Sequence, residues 1–128
     1  MIIRDWSQFL NNLPREKLDI YFTPEYVSLY EDYVYEKKAF IFLEKQSIFI
    51  LPFLLGKIEN SDYSDFVSPY GYGGPIWHSE TPDFLERAWT EFYREMQSLG
   101  VIAGFLQSTP IQWDSLSLLL PVGVKAYP

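Results

Sequence analysis

The chain has 128 residues, the length of one domain, and 48% hydrophobic against 21% charged residues excludes a disordered polymer. A formal charge of −7, from 17 acidic and 10 basic side chains, argues against binding a nucleic-acid backbone, because no basic stripe is present to displace counterions. The absence of cysteine excludes disulfides, thiolate metal sites and cysteine nucleophiles, and it suits a reducing cytoplasm, the compartment expected here.

Trp6, Phe9, Leu10 and Leu13 fall at helical spacing and predict an amphipathic helix, with Asp5 as its cap and Gln8 completing a box-like cap. Pro14 ends that turn. Residues 19–22 read as a short strand. Thr23-Pro24-Glu25 is a helix start, with an N-cap, a proline at the first helical position and an acid in the first turn. Tyr26, Tyr30, Tyr33 and Val34 would share one face of that helix, and packing is their default role.

Residues 39–43 and 48–55 are apolar and aromatic runs joined by Glu44-Lys45-Gln46-Ser47, the pattern of a hairpin with a four-residue loop. Neither run alternates cleanly, as expected of strands covered on both faces. The second run is the longest apolar stretch; Pro52 breaks it, and it is too short to span a bilayer. The first ten residues contain Asp5 and lack the apolar centre of a signal peptide, so a soluble or at most peripheral chain is expected.

Residues 57–62 are polar and read as a turn, and 63–67 as a strand. Ser68-Pro69-Tyr70-Gly71-Tyr72-Gly73-Gly74-Pro75 follows. Glycine permits positive φ and close approach of a ligand, tyrosine adds flat rings with hydroxyl groups, and proline stiffens the chain. Two readings stand: a shaped wall of a binding site, formed by Tyr70, Gly71, Tyr72, Gly73 and Gly74, or a connection that only closes the sheet.

Thr81-Pro82-Asp83 repeats the helix-start pattern, and Leu85, Ala88, Phe92, Met96 and Leu99 keep helical spacing up to Gly100, the expected stop. Residues 101–106 form a last clear strand, closed by Pro110. Residues 116–124 are apolar but interrupted by Pro121 and Gly123, and the tail 111–128 has no assigned structure. The expected fold is α/β (α+β), a single domain with a mixed, mainly antiparallel sheet of about five strands flanked by helices. With 19% aromatic residues, some rings are expected to line a groove or an interface.

Other chemistry is weaker. His78 is the only histidine and reads as structural or solvated rather than as a general base, and no second ligand makes it a metal site. Glu59, Asp62 and Asp65 cluster before the glycine loop, as a catalytic pair or, by default, as solvated turn acids. Ser68 has no nucleophile elbow around it.

The element order resembles the first two-thirds of an acetyltransferase fold of the GNAT type. The strand into the glycine loop, Phe22-Thr23-Pro24-Glu25-Tyr26, Ile50-Leu51-Pro52-Phe53 and Gly104-Phe105-Leu106-Gln107-Ser108-Thr109-Pro110 resemble the GNAT-like proteins related to the Fem aminoacyltransferases, which extend peptidoglycan cross-bridges. The resemblance covers residues 18–110 and implies the N-terminal half of a two-half protein. It implies an acceptor-binding role in a GNAT-like N-acyltransferase or aminoacyltransferase acting on a cell-envelope or amino-sugar substrate, with acyl-CoA or aminoacyl-tRNA as donor. The partners implied are a small-molecule or peptidyl amino-sugar and either a second copy of the chain or a missing second half. Gln107 stands where the family tends to show arginine. The loop keeps Gly71-Tyr72-Gly73 as a Gly-x-Gly but lacks the Gln or Arg that precedes it in coenzyme A loops, which favours a peptide or sugar over coenzyme A. A different reading is a non-enzymatic binding or assembly module with a degenerate acyltransferase fold, whose sheet leaves an edge after residue 107.

Overall fold

The structure, a computed structural model, describes residues 1–69 and 73–107. Strand β1 (Ile2–Ile3) is short, and its partner comes later in the chain. The helix expected after Asp5 is one turn, α1 (Ser7–Leu10). Asp5 Oδ1 accepts the Ser7 N–H at 3.0 Å and the Ser7 hydroxyl at 2.6 Å, a tight local turn rather than the start of a long helix. The apolar stripe is still buried at Trp6 and Leu13. Trp6 Nε1 donates to the Phe22 carbonyl at 2.6 Å and ties this segment to the next.

Residues 19–22 are not a strand. Ile20–Phe22 is a 3₁₀ turn, started by Asp19, whose side chain accepts the Tyr21 N–H at 3.4 Å. The local side-chain bond outweighs the β-favouring composition. Helix α2 (Pro24–Ser28) starts as expected, with the Tyr26 N–H on Thr23 Oγ1 at 3.2 Å. It stops earlier than expected. Asp32 Oδ1 accepts the N–H groups of Val34 and Tyr35 at 2.8 Å each, which turns the chain into a strand. Tyr33, 108% exposed, therefore leaves the helical face that Tyr26 and Tyr30 share.

Strands β2 (Tyr35–Glu44) and β3 (Ser47–Lys57) form the long hairpin. Glu44 pairs with Ser47, so the loop is only Lys45 and Gln46. Lys45 takes φ 53°, the left-handed conformation that two-residue hairpins demand. The expected two-faced burial holds. Phe40, Phe49, Leu51 and Phe53 pack on one side, and Ala39, Ile41, Ile48, Ile50 and Leu54 on the other.

Strand β4 (Ser64–Val67) pairs antiparallel with the end of β3, and β5 (Ile76–His78) with its beginning. Helix α3 (Phe84–Ser98) follows, and Gly100, at φ 73°, ends it. Asp83 caps no backbone group and instead pairs with Arg87 at 2.6 Å. Leu85, Ala88, Phe92 and Met96 are buried as the spacing predicts, whereas Leu99 is exposed. Phe92 sits at the centre of this side, with edge-on contacts to Phe40 at 5.4 Å and Phe66 at 5.5 Å. Each such buried ring contributes about 2–3 kcal/mol of transfer free energy. The N-terminal segment through α2 covers the other side with Trp6, Leu13, Phe22 and Val27.

Among the described residues, strand β6 (Val101–Phe105) is the sixth strand of a sheet of order β1-β2-β3-β4-β6, with β5 beside β3. Every pairing is antiparallel except β4 with β6, which α3 connects as a crossover. The fold is therefore α+β with a mostly antiparallel sheet. The count of six rather than about five reflects β1 and β5, both too short to show a pattern. Among the described residues no helix is long and apolar enough to cross a membrane.

Candidate functional site

The glycine loop is an excursion from an interrupted strand. Val67 pairs with Leu54 and Ile76 with Ile50, so the partners of the two residues that flank the loop are separated on β3 only by Leu51, Pro52 and Phe53. Pro52 supplies the local reason. The hairpin is closed by the Glu44–Ser47 pair, and antiparallel alternation then aims the Pro52 nitrogen away from β2, toward the gap between β4 and β5. Proline has no N–H to offer there, and the neighbouring chain leaves the ladder at that point.

The roots of the excursion are clasped to β6. The Ser68 N–H donates to the Phe105 carbonyl at 2.9 Å, and Ser68 Oγ accepts the Gln107 N–H at 2.9 Å. The Gly73 N–H donates to the Gln107 carbonyl at 2.5 Å. The loop thus sits at the carboxyl ends of the two parallel strands, β4 and β6.

Gly73 and Gly74 are buried, as are Pro69 and Pro75. Gly74 has φ 86°, which a side chain strains. A Cβ on Gly73 would stand 2.6 Å from Ser68 Cβ, so that position needs glycine for close approach. Tyr70, Gly71 and Tyr72 lie outside the described residues. The Gly73 N–H is already engaged by the Gln107 carbonyl and is not open to a ligand oxygen. Gln107, noted in the sequence for its side chain, acts here through its backbone. Ser68, unremarkable as a nucleophile, is an anchor.

The acids expected near the loop are elsewhere. Glu59, Asp62 and Asp65 line an open cleft of about 890 Å³ with Tyr33, Tyr35 and Lys57, at the opposite end of β4. The Tyr35 hydroxyl donates to Asp65 Oδ1 at 3.0 Å. Partial burial, then that carboxylate, pushes the Tyr35 hydroxyl pKa up. Tyr26 and Tyr30 hydroxyls lie 3.4 Å apart, and burial, followed by the Tyr30 contact, pushes Tyr26 up to about 12. His78 lies in β5 opposite Ile48, not in a loop. Among the described residues no group of three or more His, Asp or Glu side chains is arranged to hold a metal ion.

No family model matches the chain, and neither a curated protein nor a solved structure matches it.

Proposed function

We propose that the chain is the acceptor-binding half of a GNAT-like N-acyltransferase or aminoacyltransferase of the Fem type, acting on a cell-envelope or amino-sugar substrate. The observation that carries this reading is the position of the glycine loop at the carboxyl ends of β4 and β6. In sheets with parallel strands joined by helices, ligands bind in the crevice outside the carboxyl ends. The resemblance places the coenzyme A loop of GNAT enzymes here, and the missing Gln or Arg turns the loop toward a peptide or sugar acceptor instead. Tyr70 and Tyr72 would stack on apolar sugar faces, and Gly71, Gly73 and Gly74 would let the backbone come close.

Two features favour an acceptor over a coenzyme A pyrophosphate. The Gly73 N–H is engaged internally, and β5 separates the loop from α3 in sequence. The donor, acyl-CoA or aminoacyl-tRNA, follows from the resemblance alone. Isothermal titration with nucleotide-muramyl peptides, other amino-sugar nucleotides and acyl-CoA tests the proposal. Heat is expected with at least one amino-sugar nucleotide. Replacing Tyr70 and Tyr72 by Phe should weaken it about fivefold for each lost hydrogen bond. No heat with any of these ligands would overturn it.

A second reading is a non-enzymatic assembly module with the same fold. Among the described residues β6 is the last strand of the sheet and carries exposed apolar side chains, which favours it. A chain that binds no amino-sugar ligand but associates through β6 would support that alternative.

A further inference from the structure

The side of the sheet under α2 is covered at β2 and β3 and, among the described residues, exposed at β6. Lys37, Leu54, Val67 and Phe105 are register partners across β2, β3, β4 and β6, so their side chains share that side. Helix α2 sits over the β2 end of this row, where Lys37 Nζ donates to Ser28 Oγ at 2.7 Å. The Lys37 N–H points away from β3, by the alternation that also turns the Pro52 nitrogen away from β2, and it donates to Glu31 Oε2 at 3.0 Å. Ser28 and Glu31 therefore hold the outer edge of β2. Tyr26 and Tyr30 are one turn apart, with ring centroids 5.4 Å and hydroxyls 3.4 Å from each other. Ser28, two residues from each, lies about 200° around the helix axis from both. The tyrosines therefore lean away from the β2 edge and toward β4, and Tyr30 packs on the apolar cluster that Val67 also joins.

Beyond Val67, Phe105 is 62% exposed, with exposed Ala103 on the same side of β6. The Phe105 carbonyl accepts the Ser68 N–H at 2.9 Å, so this ring stands at the root of the glycine loop. Leu54 and Phe105 are two strand spacings apart, about 10 Å, with Val67 as the floor between them. The result is a shallow trough with a phenol pair on one wall, an apolar ring on the other and the clasped loop at its end. Lys37 is the only charged residue of the row, and its ammonium is tied to Ser28.

We infer that Tyr30 and Phe105 are specificity-determining residues of the acceptor site and hold the pyranose ring of an amino sugar. The inference rests on the acyltransferase reading and adds to it the part of the substrate that the sheet grips. Phe105 stacks on the apolar face of the sugar. The Tyr30 hydroxyl, which can both donate and accept, meets a hydroxyl or the acetamido group on its rim. A peptide strand would add to the edge of β6 through backbone bonds and leave the phenols and the Phe105 face unused.

Titration of a nucleotide-muramyl peptide into the full chain tests this, with Phe105→Ala, Phe105→Trp and Tyr30→Phe beside the parent. Phe105 is exposed and Tyr30→Phe keeps its ring, so thermal unfolding should be the same for all four. Phe105→Ala is expected to weaken binding about tenfold and Tyr30→Phe about fivefold, whereas Phe105→Trp should bind as the parent does. The pyranose protons of the bound ligand should shift upfield, under the ring current, in the parent and in Phe105→Trp but not in Phe105→Ala. Equal binding by the parent, Phe105→Ala and Tyr30→Phe would overturn this inference and leave the acceptor reading in place. Weaker binding by Phe105→Ala with the upfield shifts retained would also overturn it, because Phe105 would then only support the loop. No binding by the parent would overturn both.

Discussion

The Gly73 N–H and the Gln107 carbonyl, 2.5 Å apart, join the glycine loop to the chain just beyond β6. One backbone bond therefore couples the far side of the loop to the edge of the sheet. Loop shape and edge order are expected to change together.

Gly74→Ala should destabilise the protein by about 1 kcal/mol or more, because φ 86° strains any side chain. A denaturant midpoint with an unchanged slope measures this. A neutral substitution would mean that the loop relaxes out of the left-handed conformation.

Gly73→Ala acts by a different cause. Its Cβ would meet Ser68 Cβ at 2.6 Å. Ser68→Gly removes that obstacle but also the hydroxyl that accepts the Gln107 N–H at 2.9 Å, a loss of about 1 kcal/mol. The double variant should be less destabilised than the sum of the singles, by about 0.5 kcal/mol or more, as neighbours in direct contact usually couple. Strict additivity in a double-mutant cycle would place the two residues further apart than described here.

The two buried tryptophans should respond differently to Phe. Trp6 Nε1 donates to the Phe22 carbonyl, whereas the buried Trp89 Nε1 has no hydrogen-bond partner. Trp6→Phe strands a buried acceptor, so it should cost about 1–2 kcal/mol more than Trp89→Phe, which removes an unpaired donor. Equal losses in thermal unfolding would contradict this.

Acidification should weaken the junction of α2 and β2. The Lys37 N–H on Glu31 at 3.0 Å, with Arg4 beside it, holds the Glu31 carboxyl below its ordinary value of 4.5. A depressed folded-state pKa gives stability that is fully present above the ordinary value and is lost as pH falls through the lowered one. Glu31→Gln should therefore flatten the fall in stability below pH 4.5 while changing little of its pH dependence near neutrality. Parallel pH profiles for the parent and the variant would contradict the assignment.

Much of the fold is legible in the sequence wherever burial sets the pattern. The two-faced hairpin and α3 follow from apolar spacing, which packing against both sheet faces enforces. Residues 19–22 and the end of α2 are not legible in that way, because Asp19 and Asp32 redirect the chain through single side-chain bonds. The glycine loop is visible in composition, yet its place opposite Pro52 depends on strand register. The clasp on Gln107 uses backbone groups and one serine hydroxyl, which leave no mark that spacing can reveal. The acids that precede the loop in sequence line a cleft at the other end of β4, a separation in space that sequence proximity conceals.

Amide chemical-shift mapping on the isotopically labelled chain, titrated with a nucleotide-muramyl peptide, examines the loop as an acceptor site. Saturable shifts are predicted at Ser68, Gly73, Gly74 and Gln107, with Tyr35, Lys57 and Asp65 unmoved. Shifts confined to the Tyr35–Asp65 cleft, or none at saturating ligand, would contradict the assignment of the glycine loop as the binding site.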